Sequence, residues 1–209
     1  MSDDRSNVQE TSVSVDQRVA ILVDGNNIGK SVWALASRET MIDYDLVIPN
    51  LVRDRKLTRL IYFREGNNIS SKFERRIKSK FFGSVEPSGR NAIVPITIKA
   101  LQLADRIDTL ILMSGNDDFV ELVAHLKSNG LRVEIASVAS STSARLKEEA
   151  DDWIDINEKY FFTVPTPAPR TRVNQSETSV PRQIESAESG PAISIKPNVA
   201  NQEDLFRNP

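Results

Sequence analysis

The sequence predicts an α/β protein with an open, mostly parallel sheet and helices on both of its faces. Three observations predict it. Short runs rich in β-branched residues alternate along the chain with amphipathic helical patterns. These runs are apolar on both faces, as strands buried between two helical layers must be. Seven of the ten prolines fall after residue 162, outside the alternating region.

Taken in order, the strand candidates are Val19 to Val23, Thr58 to Phe63, Thr109 to Met113 and Leu131 to Ala136. Helical patterns lie at Asp45 to Arg53, Ser71 to Phe82, Ala92 to Ala104, Asp118 to Ser128 and Ser143 to Ala150. The clearest puts Phe119, Leu122, Val123 and Leu126 on one side, and Asn129-Gly130 stops it. Pro49 and Pro95 fall within two of the helices, which are expected to begin late or bend there. In an open parallel sheet, ligands bind beyond the carboxyl ends of the strands. Two strands run into polar, turn-rich segments at that edge, Asp24-Gly25-Asn26-Asn27 and Ser114-Gly115-Asn116-Asp117-Asp118.

The flanks read differently. Residues 163–209 hold 13 apolar residues among 47, with five acids and five bases, too little apolar surface to offset the entropy of ordering them. Residues 1–17 carry four acids, one base and no strong periodicity. Both segments are expected to be disordered, leaving 18–162 as one domain with one core. With no cysteine and one histidine, thiolate zinc sites, disulfides and multi-histidine metal centres are excluded, so any metal sits on oxygen. No apolar run approaches the roughly 20 residues that span a bilayer, and the polar start lacks the pattern of a signal peptide. A soluble cytoplasmic protein is the expectation.

Asp24 follows directly on an apolar strand, and Asp117 and Asp118 open a helix. Capping of that helix by Asn116 or Asp117 is the plain structural explanation, worth about 0.5 to 2 kcal/mol. Two acidic strand ends at one sheet edge also suit a cation, because clustered carboxylates repel until one neutralises them. Oxygen ligands favour Mg²⁺ or Mn²⁺. Asp24-Gly25-Asn26-Asn27, then Ser114-Gly115-Asn116-Asp117-Asp118-Phe119, and a closing Ala150-Asp151-Asp152-Trp153-Ile154-Asp155-Ile156 together resemble an NYN domain of the LabA-like subgroup. The resemblance covers residues 18 to 158. It implies a Rossmann-like three-layer α/β/α sandwich of the PIN-like type, in which clustered acids hold Mg²⁺ or Mn²⁺ and RNA phosphodiesters are hydrolysed.

Position by position, the resemblance makes Asp24 the family's first acid and Asp118 the last acid of its second motif. Asn27 resembles the polar residue after the first acid, and Asn26 and Ser114 flank the same site as substrate contacts. The metal would be held by Asp24, Asn116, Asp117 and Asp118, with Asp24, Asp118 and Asp117 as the catalytic acids. Two departures stand out. Asn116 occupies the place of an earlier aspartate, with Asp117 beside it. Ile93 occupies the place of a helix aspartate, and Lys99 that of a second acid. The loss of one carboxylate predicts weaker divalent affinity, so a catalytically inactive RNA-binding or regulatory module on the same fold is the alternative.

Net charge is −2, yet Arg53 to Arg90 has eleven bases and four acids. Lys72, Arg75 and Arg76 fall near one helical face, with Lys80 a turn later and Phe73, Ile77, Phe81 and Phe82 toward the core. A charged helix is most often a solvated face; beside a carboxylate site it would guide single-stranded RNA. Gly25 to Ser31 mimics a phosphate-binding loop, but it has three rather than four residues between its glycines and an adjacent acid. His125 reads as structural, Trp33 as either core or a base-stacking platform, and Gln202 to Phe206 as a weak docking peptide for a protein partner.

Overall fold

The computed structural model describes residues 17–66 and 69–163. The disorder expected at both ends, and the docking peptide at Gln202 to Phe206, therefore lie outside the described residues, save for Gln17 and Thr163 at their borders. In chain order the elements are β1 (Arg18–Asp24), α1 (Gly25–Leu35), β2 (Thr40–Ile42), α2 (Tyr44–Val52), β3 (Lys56–Glu65), α3 (Ser71–Phe81), β4 (Ser84–Ser88), α4 (Ile93–Leu103), β5 (Thr109–Met113), α5 (Val120–Ser128), β6 (Arg132–Ser137), α6 (Ala144–Glu149), β7 (Asp152–Asp155) and β8 (Phe161–Thr163).

Six strands form one sheet in the order β4-β3-β1-β5-β6-β7, every pair parallel, while β2 and β8 form a separate antiparallel pair. The alternation along β1 shows why the sheet carries helices on both sides. Val19, Ile21 and Val23 join one core cluster with Ile28 and Val32 of α1, Ile48 and Leu51 of α2 and Ile77 of α3. Ala20 and Leu22 join the other with Ile96 of α4, Val123 of α5 and Leu146 of α6. Each face of β1 thus needs an apolar residue at every position, and all residues from Val19 to Val23 are fully buried.

The chain builds outward from β1 through β3 to β4, then crosses back to place β5 on the opposite side of β1. That reversal makes the carboxyl ends of β1 and β5 a topological switch point, where the helices on either side diverge and leave a crevice.

The α/β class and the four central strands follow the sequence pattern. Five elements do not. Strands β4 and β7 are outermost in the sheet and only partly buried, so they need no continuous apolar run, and Pro87 in β4 is tolerated because an edge strand has one partner. The short β2 and β8 form by pairing across more than a hundred residues, which no local pattern signals. Helix α1 starts at Gly25 without a loop, because Asp24 caps it by accepting from the Asn27 amide. Pro95 lies in the first turn of α4, where its missing N–H is harmless, whereas Pro49 is accommodated inside α2. Phe82, expected to point inward, is 86 % exposed: it closes α3 in a left-handed conformation (φ 49°), which turns its ring out to solvent.

Candidate functional site

The switch point is held together by side chains that the two polar motifs supply. Asp24, the last residue of β1, is buried; its Oδ1 accepts from the Asn27 amide at 3.0 Å and its Oδ2 from the Ser114 hydroxyl at 3.3 Å. Ser114 follows β5 and is fully buried, so this bond bridges the two strand ends. Asn27 adds a second bridge, its Oδ1 accepting from the Gly115 amide at 2.9 Å. Asn26 reaches the other way and accepts from the Glu65 amide at 3.2 Å, tying α1 to the end of β3.

Both motif glycines are required by close approach. A Cβ on Gly25 would lie 2.2 Å from the Tyr62 ring, and one on Gly115 would lie 2.7 Å from the Ser141 carbonyl. Gly115 also accepts from the Ser143 amide at 3.0 Å, so the loop after β5 is pinned from both sides.

Electrostatically, Asp24 is a buried acid with no basic side chain paired to it among the described residues. Burial raises its pKa; the hydrogen bonds from Asn27 and Ser114 counter this, and the nearby Glu65 carboxylate adds to the rise. Glu65 is the site residue that sequence reading missed. It ends β3, the neighbour of β1 on the side away from β5, and its only signal was its place two residues past the strand candidate.

The remaining predicted residues are placed as follows. Asn116 Oδ1 accepts from the Asp118 amide at 3.3 Å, and its Nδ2 donates to Asp118 Oδ2 at 3.2 Å, so Asn116 caps the single helical turn Asp117–Phe119. Asp118 is exposed. Asp117 turns toward α6, where it accepts from the Ser143 hydroxyl and from Arg145 Nη1 at 2.8 Å. Lys72 and Arg75 lie exposed on α3, while Arg76 is committed to Asp45 at 2.6 and 3.1 Å, with Lys80 on the same carboxylate. These two cations hold the Asp45 pKa down to about 2. Ile93 packs against the second core cluster at the start of α4, and Lys99 faces Glu86 of β4 at 3.8 Å. His125 is exposed on α5 beside Asn129.

Among the described residues no three acids or histidines converge in a way that could hold a metal ion. Mg²⁺ does not require three, because it is commonly held through one or two carboxylates with waters and substrate phosphates completing its shell. Asp24, an unpaired buried carboxylate next to a second acid, has the donor chemistry that such an ion neutralises.

The NYN domain profile matches residues 18–157, from the first residue of β1 to just past β7. The chain belongs to the NYN domain family. NYN domains are in general ribonuclease-like. Its sequence is 21% identical over 174 residues to the low amplitude and bright protein LabA of Synechococcus elongatus, covering 75% of this chain and 93% of that protein. Its fold matches a solved protein of unknown function from Vibrio parahaemolyticus with a TM-score of 0.63 at 22% identity, covering 70% of this chain and 97% of the other. No described helix of this NYN protein is long and apolar enough to cross a membrane.

Proposed function

We propose that this NYN protein hydrolyses phosphodiester bonds of single-stranded RNA with the help of Mg²⁺ or Mn²⁺. The observation that carries this reading is Asp24: a buried carboxylate at the switch point of an NYN fold, unpaired by any cation among the described residues and bridged to the second acidic motif through Ser114. Asp24 and Asp118 would hold the ion, with Asn116 and Asp117 contributing from the same loop. Bound there, the ion supplies an activated water and offsets charge on the reacting phosphate.

The chain's own residues do the rest. Asn27 and Ser114 fix the Asp24 carboxylate through its two oxygens, so it meets the substrate without reorganising. Asn26 and Asn27, half-buried beside it, are assigned to substrate contact, while the fully buried Ser114, grouped with them by the resemblance, acts through its bond to Asp24. Lys72 and Arg75, exposed on α3, would hold the phosphate backbone, with Arg76 joining them if it exchanges Asp45 for phosphate.

A second reading is favoured by Ile93 and Lys99. Where the family carries acids, one side chain packs against the core and the other faces Glu86, which suits a non-catalytic RNA-binding module. Metal-dependent cleavage of labelled single-stranded RNA by the purified chain separates the two. The catalytic reading requires that it stop with chelator and in Asp24→Asn; the binding reading predicts salt-sensitive, chelator-indifferent binding without cleavage. A cytoplasmic location and a protein partner for residues 163–209 complete the proposal, and deleting those residues tests the latter through pull-down of partners.

A further inference from the structure

Beside Asp24 lies a cavity of about 370 Å³ that none of the acids of the two motifs lines. Its volume falls in the roughly 300 to 1,000 Å³ range of small-ligand pockets. Trp33 of α1, Met41 of β2 and Phe162 of β8 line it and are 42 %, 52 % and 41 % exposed, so three large apolar side chains on its wall are open to solvent together. Inside stand Tyr44, Tyr62 and Phe73, packed edge to face with ring centres 4.8 to 5.7 Å apart.

Three features say what it takes. First, the cavity adjoins the carboxylate: Gly25, the residue after Asp24, is part of its wall and lies under the Tyr62 ring. Second, it holds one cation that no described acid neutralises. Arg64 and Arg76 both line it; Arg76 is paired with Asp45 and Asp43, whereas Arg64 has no ion-pair partner among the described residues, so an anionic group is favoured at Arg64 next to the aromatic walls. Third, it offers polar contacts to a flat ring's edge. The Tyr44 and Tyr62 hydroxyls stand beside one another, with Arg64 next to Tyr62, and a phenol can donate as well as accept. A purely apolar peptide segment uses the first walls but neither the arginine nor the hydroxyls.

We infer that this cavity receives one base of the RNA strand, stacked against Trp33 and Phe162, with Arg64 on the phosphate that passes toward Asp24. The inference rests on the RNA reading above and adds where the base goes. Stacking on aromatic side chains tolerates any base, so the pocket anchors the strand beside the carboxylate without imposing a sequence.

The test uses the full chain in chelator, so that binding is read without cleavage. The protein has two tryptophans, and Trp153→Phe leaves Trp33 as the reporter. A short fluorescein-labelled single-stranded RNA should quench Trp33, and Trp33→Leu, which keeps the apolar bulk, should weaken binding about fivefold or more. Trp33→Phe, which keeps a ring, should stay within about twofold of the parent. Because Trp33 is half exposed, thermal melting of Trp33→Leu should match the parent. RNA that binds without quenching Trp33, and as tightly to Trp33→Leu, would overturn the pocket while leaving the RNA reading intact. Absence of RNA binding in the parent would overturn both. Binding and quenching without cleavage in Mg²⁺ or Mn²⁺ would support the pocket and remove only the catalytic reading.

Discussion

The Gly115 amide donates to Oδ1 of Asn27 across 2.9 Å, and this bond joins the loop after β5 to the first turn of α1. Gly115 is buried, so the N–H has no water to fall back on. Asn27 therefore acts as a brace between the two strand ends that carry Asp24 and Asp118, whatever else it touches.

Asn27→Ala should destabilise the protein by about 1 to 3 kcal/mol, the cost of leaving a buried donor unpaired. It should also reduce RNA cleavage by more than the loss of folded protein explains, because the loop carrying Asn116 to Asp118 would lose its register against Asp24. Urea denaturation and single-turnover cleavage on the same preparations check both parts.

Asp24 gives a prediction about pH and metal. Its pKa is raised in the folded state, chiefly by burial, so folding favours its protonated form. The stabilisation is present below its unfolded value and is lost as pH rises through the raised folded value. In chelator at neutral pH, Asp24→Asn should therefore melt at or above the parent's temperature. Saturating Mg²⁺ should reverse the order, stabilising the parent by about 2.7 kcal/mol at a hundredfold excess over Kd and leaving the variant unmoved. Calorimetry with and without the ion reads this directly.

Toward the amino ends of the strands, Glu134 is fully buried in β6 and accepts from Arg55 at 2.8 and 2.9 Å and from Arg132 at 2.9 Å. Burial by itself pushes the Glu134 pKa up, but the two arginines together hold it below its ordinary value. Its contribution is thus present above the unfolded value, about 4.3, and lost as pH falls through the lower folded value. Arg55→Ala should cost about 3 to 5 kcal/mol at neutral pH by leaving the buried carboxylate short of its main partner. Denaturation across the acid range should show the step in the parent and its loss in Glu134→Gln.

The outline of this fold was legible because β1, β3, β5 and β6 are enclosed on both faces and cannot be written without continuous apolar runs. Asp24, Ser114 and Asp118 were legible for a related reason: polar residues that end such runs must lie at the sheet's carboxyl edge. Other features depend on pairing that sequence does not display. The side-chain oxygens of Asn26 and Asn27 accept from the Glu65 and Gly115 amides, 39 and 88 residues away along the chain. Glu65 counted only as one acid in a basic segment, since its nearness to Asp24 comes from the parallel pairing of β1 with β3. The cavity is assembled from six elements, α1, β2, α2, β3, α3 and β8, and no stretch of chain announces it.

Ile93 is the departure most open to repair. It sits at the first position of α4 and is only partly buried. Ile93→Asp should cost about 1 to 2 kcal/mol in lost packing and raise Mn²⁺ affinity about tenfold, the scale on which single groups around a metal alter its binding. Titration calorimetry with Mn²⁺ measures the gain, and unchanged affinity would mean that this position does not face the ion.

The central claim is that Asp24 anchors a metal-dependent phosphodiesterase site. Its most direct test is the cleavage of end-labelled single-stranded RNA by the purified protein in Mg²⁺, in Mn²⁺ and in EDTA, beside Asp24→Asn. Cleavage with either ion, abolished by EDTA and by the variant while the variant stays folded and still binds RNA, is the predicted result. Cleavage retained in Asp24→Asn, or RNA binding with no cleavage under either ion, would contradict it.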